Sequence, residues 1–167
     1  MNYFFKILSY FISIIYILLI QLSMFNPIFL GLYSYIYIVF IINIPVHENK
    51  LIVLLLSFII GWIIDQYLNT GGMHAFSSTF FAFFRLQILK FFAGNTLIMN
   101  KNFSIEKLSV IKKIFFIYTL IIIHHGILFI LQTIHGIVFN KVFIFKIIFS
   151  SIFTLILCLI LFFKKKI

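Results

Sequence analysis

The sequence predicts an all-α integral membrane protein: a bundle of about six transmembrane helices in one domain over residues 1–167, with the N and C termini cytoplasmic. Composition, the form of the apolar runs and the placement of lysine predict it. Hydrophobic residues make up 64% of the chain, charged residues 10%, and mean hydropathy is +1.24. A soluble globule of that composition has too little polar surface to face water. The runs 14–20, 51–56 and 152–163 are continuous, without the alternation that barrel strands need. Helices then satisfy the backbone in lipid.

Twelve Lys against one Arg, with abundant Ile, Phe and Asn, reflect an AT-rich coding sequence more than a function. The net charge of +10 lies at the ends of apolar spans and not in a soluble basic patch, which points to anionic membrane lipids as partners and away from nucleic acid. The single cysteine, Cys158, falls inside the last apolar run and is expected to be an inert small hydrophobe.

In chain order, residues 4–25 form an uncleaved first span, and Asn26-Pro27 turns the chain. The second span, 28–44, carries Tyr33 and Tyr37 one turn apart and Tyr35 off their face, and Pro45 stops it. Residues 47–50 form a polar loop in which Glu48 is expected to be solvated. The third span covers 51–68 and the fourth 73–92, with Thr70-Gly71-Gly72 breaking the helix between them. Residues 94–113 are the extended polar segment, and spans at 114–134 and 143–163 follow. If the termini are cytoplasmic, ten Lys lie inside and only Lys141 and Lys146 outside, a clear positive-inside bias.

The stretch 57–85 holds the sole Arg, the sole Trp and the Gly-Gly pair. Ser57, Gly61, Asp65 and Asn69 recur at i+4 and make a stripe of small and polar groups, while Ser57-x-x-x-Gly61 permits close helix approach. His74, Ser78, Phe81 and Arg85 form a stripe on the fourth helix, beside Ala75, Thr79 and Ala82. The two faces are expected to meet as an antiparallel pair, with Asp65 near His74 at the hairpin end and Arg85 about 16 Å further along.

An ionisable group at membrane depth is a functional candidate, so each is weighed against a structural role. Asp65 is a cation or proton site, or a structural group bonded to His74 and the Gly71-Gly72 backbone, and the structural reading is favoured. Arg85 is near enough to Lys90 and the membrane face to snorkel. His124 and His125 point about 100° apart and are expected to hydrogen-bond between helices, not to share a metal with the distant His135. No nucleophile-base pair or phosphate loop is present, so neither catalytic residues nor cofactor or metal ligands are assigned.

From Asn26 to about Lys90 the order of motifs resembles the rod shape-determining protein MreD family, in particular its Bacteroidetes-like branch. The residues that carry the resemblance are Pro27, the run from Tyr35 to Pro45, Phe58-Ile-Ile-Gly61-Trp-Ile-Ile-Asp65, Asn69-Thr-Gly-Gly-Met-His74-Ala75 and Ala82-Phe-Phe-Arg85. Leu86 stands where the family pattern often has Pro. The resemblance implies a non-enzymatic component of the bacterial inner membrane, without cofactor, that maintains rod shape in the cell-wall elongation machinery. Its partners would be an MreC-like protein and, through it, the MreB filament and the peptidoglycan synthase pair of RodA and a class B penicillin-binding protein. The partner face would draw on Ser57, Gly61, Asp65, Asn69, Gly71, Gly72, His74, Ser78, Ala82 and Arg85. A distant similarity to the vitamin-binding membrane subunits of energy-coupling-factor transporters supplies the alternative.

Overall fold

The computed structural model describes residues 3–25, 35–94, 99–100, 103–136 and 141–164. Six α-helices are present among them: α1 (Tyr3–Leu19, continued by a π-helical turn Ile20–Phe25), α2 (Tyr37–Asn43), α3 (Lys50–Leu68), α4 (Met73–Ala93), α5 (Val110–Ile134) and α6 (Lys141–Lys164). Within α1, α3, α5 and α6 lie segments long and apolar enough to cross a membrane. The chain is a multi-pass membrane protein.

The central layer is α3, α4 and α5. The α3–α4 hairpin turns because Asn69 adopts a left-handed conformation (φ 52°) after the last helical residue, and its N–H donates to Asp65 O. Gly72, at φ 93°, then starts α4. α4 is 21 residues long, and its polar side chains belong to a helix held between α3 and α5. α5 begins at Val110 and not near Ile114, so Lys112 and Lys113 are helical. Lys113 is buried, and its ammonium donates to Glu106 O at 3.3 Å.

The second span differs from expectation. Tyr33 and the Asn26-Pro27 turn lie outside the described residues, and Tyr35 and Ile36 precede the helix, so no single helix runs over 28–44. α2 has seven residues, about 10 Å, a third of the hydrocarbon thickness. Tyr37 to Ile42 are all buried. A helix end inside the bundle must find partners for its free backbone groups. Before its N-terminus, Ile36 N donates to Gln21 Oε1 at 2.7 Å and Tyr35 N to Thr154 Oγ1 at 3.4 Å. At its C-terminus, Arg85 Nη2 donates to Ile42 O at 3.0 Å and to Ile44 O. Three other helical segments therefore hold this short helix.

α1 is tied to the loop before α3 by an ion pair, Lys6 Nζ to Glu48 at 2.7 Å, and by the Tyr10 hydroxyl, which donates to the same carboxylate. Glu48 is not solvated as expected: its side chain is 2% exposed. Burial alone raises its carboxyl, but Lys6, Tyr10 and the Asn49 N–H outweigh that and hold it below the ordinary 4.5.

Candidate functional site

The stretch 57–85 folds into a latch between α3 and α4. Gly61 is the closest approach: a Cβ there would lie 2.6 Å from both Ala75 Cα and His74 O and would strike Ser78 Oγ. Only glycine lets the backbones come so near. One turn away, Ser78 Oγ donates across the interface to Ser57 O at 2.7 Å.

Asp65 completes the latch. Gly72 has no side chain to cap α4, so the carboxylate of the preceding helix takes that role. Its oxygens accept from His74 N at 2.9 Å, Ala75 N at 2.7 Å and Thr70 Oγ1 at 2.5 Å. The residue is 2% exposed, and its negative charge sits at the positive end of the α4 dipole. Sequence reasoning placed Asp65 beside His74 and the Gly71-Gly72 backbone. The structure gives the His74 contact as a main-chain bond, with Thr70 and Ala75 as the other donors.

Arg85 has the mirror-image role. It is 4% exposed and caps the C-terminus of α2, where the dipole is negative, instead of snorkelling to the membrane face. The two interior charges of the predicted set thus sit at helix ends of opposite sign, bonded to backbone and not to each other.

A second cluster lies where α2, α4 and α5 meet. The Tyr37 hydroxyl bridges His74 Nδ1 at 3.0 Å and His124 Nε2 at 2.7 Å. The Tyr35 ring packs edge-on against His125, with centroids 5.0 Å apart, and also touches His74 and His124. His124 therefore bonds between helices as expected, whereas His125 Nδ1 bonds Ile121 O within α5 and presents its ring to Tyr35. His124 Nδ1, His125 Nε2, Gln132 Oε1 and Ser150 Oγ are buried without a protein partner, which leaves α5 and α6 with polar atoms inside the bundle. His135 is exposed and bonds Leu131 O. Among the described residues, no three His, Cys, Asp or Glu side chains are arranged to ligate one metal ion.

Of the residues singled out from sequence, Ser57, Gly61, Asp65, His74, Ser78, Ala82 and Arg85 are buried in one connected region. Asn69 and Gly71 are exposed at the turn, and Gly72 is partly so, and they shape the hairpin. Sequence reasoning missed Gln21 and Thr154 at the start of α2, Ser77, whose hydroxyl bonds Met73 O, and the Lys6–Tyr10–Glu48 tie. The signal available for Gln21 and Thr154 was a polar side chain within an otherwise apolar helix.

Comparison with known proteins brings no match: no family model, no curated protein and no solved structure matches the chain.

Proposed function

We propose that this chain is a non-enzymatic component of the bacterial inner membrane that maintains rod cell shape, with both termini in the cytoplasm. In this reading it holds an MreC-like protein and, through it, the MreB filament and the synthase pair of RodA and a class B penicillin-binding protein. The observation that carries the reading is the use made of the MreD-like string. Gly61, Asp65, Asn69, Gly72 and Arg85 set helix approach, helix caps and the turn, so the string specifies a rigid frame. A protein that works by positioning others needs such a frame. The ten-to-two lysine distribution supports the orientation.

The alternative, a solute-binding transporter subunit, draws on a groove of about 450 Å³ between α1 and α2, lined by Ser9, Tyr10, Ser13, Tyr16 and Asn43 among apolar residues. Its size suits a small ligand. Its polar groups are largely committed: Ser13 donates to Ser9 O, Asn43 to Val39 O and Tyr10 to Glu48. That favours the scaffold. Purification from mild detergent with mass spectrometry of what accompanies the chain tests the choice. An MreC-like protein is expected, and an ATPase module or a bound vitamin would overturn it.

A further inference from the structure

A second cavity, of about 260 Å³, opens between the 45–50 loop, α3 and α4 at the end of the bundle where Lys6 and Lys90 lie. Arg85, Lys50, Lys90 and Glu48 line it, with Val53 and Ala82 at its apolar wall. Its charge is lopsided. Glu48 is already engaged by Lys6, Tyr10 and Asn49 N, while Lys50 and Lys90 are exposed at the mouth. Lys50 Nζ is held 3.8 Å over the Phe83 ring, a cation–π contact that fixes an ammonium beside the opening. Arg85 is committed through Nη2 to the α2 carbonyls, but its buried Nε has no partner. Arg85 thus brings a third positive charge to the cavity wall.

Three cationic side chains around a pocket that a paired carboxylate does not neutralise select an anion. A tetrahedral phosphoryl group accepts from several donors at once and fits a guanidinium edge together with flanking ammonium groups. Phe83 and Leu86, both exposed beside the mouth, supply apolar surface of the kind that acyl chains cover. We propose that this cavity binds a phosphoryl anion, carried by an anionic phospholipid headgroup or by free phosphate, with the Arg85 side chain in its wall and Lys50 and Lys90 at its mouth. The site is independent of the scaffold reading. Through Arg85, an occupant would bear on the helix end that the same guanidinium caps.

Native mass spectrometry of the full chain released from detergent micelles tests it, with phosphatidylglycerol, phosphatidylcholine and inorganic phosphate as probes. Wild-type protein is expected to retain phosphatidylglycerol and to lose phosphatidylcholine. Lys50→Gln combined with Lys90→Gln should weaken that retention about 25-fold, since each lysine near an anionic surface is worth roughly fivefold in affinity. Lys107→Gln combined with Lys112→Gln removes the same charge from exposed positions outside the cavity and should leave retention unchanged. Selective retention of phosphatidylglycerol assigns the anion to lipid, and its displacement by inorganic phosphate assigns it to the free ion. Equal retention by wild type and the Lys50/Lys90 variant, equal loss in the two double variants, or no preference over phosphatidylcholine would overturn the proposal. Lys90→Gln alone repeats the comparison should the double variant not fold.

Discussion

Replacing Gly61 by Ala adds one methyl group where α4 already touches α3. The new carbon would stand 2.6 Å from Ala75 Cα and from His74 O, both belonging to the α4 main chain and unable to swing aside. Carbon atoms rest at about 3.5–4.0 Å, so the helices must separate by roughly 1 Å. Overpacking of that kind costs about 1–3 kcal/mol. Separation also weakens the Ser78–Ser57 O bond, a further ~0.5–1.5 kcal/mol. The better helix propensity of Ala returns about 1 kcal/mol. The net is a destabilisation of roughly 1–3 kcal/mol, and Gly61→Leu should do worse. Gly126 provides the control, because a Cβ there meets nothing within 4 Å. Gly126→Ala should be neutral or stabilising by up to about 1 kcal/mol. Cys158, the only cysteine and fully buried, reports unfolding through a thiol-reactive fluorophore in detergent. Equal stability of Gly61→Ala and wild type, or equal loss at both glycines, would refute the close-packed latch.

Four further expectations follow from the same geometry. Asp65→Leu leaves His74 N and Ala75 N buried without an acceptor and should cost about 2–5 kcal/mol, whereas Asp65→Asn keeps one acceptor oxygen and should lose less, both read by the Cys158 assay. Tyr37→Phe removes the hydroxyl between His74 and His124 and should cost about 1–3 kcal/mol, read by the same assay. The depressed carboxyl of Glu48 contributes stability that is fully present above 4.5 and is lost as pH falls through its lower folded value. Cleavage by a protease active in acid within the 45–50 loop should therefore rise on acidification in wild type and be pH-independent across that window in Glu48→Gln. Reporter fusions after Ile167 and within 95–110 should read cytoplasmic, and one at 69–72 extracytoplasmic; a periplasmic C-terminus contradicts the orientation.

The α3–α4 hairpin was legible because its information is local. Small and polar residues at i+4 mark a face, Thr70-Gly71-Gly72 marks a turn, and only nine positions separate Asp65 from His74. The short helix α2 was not legible, since the run 35–44, apolar apart from Asn43 and the hydroxyls of Tyr35 and Tyr37, carries no helical period that could mark its ends. Those ends are set by residues remote in sequence: Gln21, Thr154 and Arg85. Glu48 was misread for the same reason. A carboxylate between Pro45 and Lys50 resembles any loop residue until α1 brings Lys6 and Tyr10 to it. The role of Arg85 needed the three-dimensional course of α2, because proximity to Lys90 along α4 describes its depth and not its direction.

In the proposed function the 57–85 string acts as a frame that positions partners in the membrane. The direct measurement is restoration of cell shape in a rod-shaped host depleted of its MreD-like protein, scored together with recovery of the MreC-like protein on the tagged chain. Wild type should restore rods and recover that partner, Asp65→Asn should do so in proportion to its folded level, and Asp65→Leu should fail with its fold. Round cells from Asp65→Asn at normal folded level and normal partner recovery would contradict the account, as would restored rods with no MreC-like protein bound.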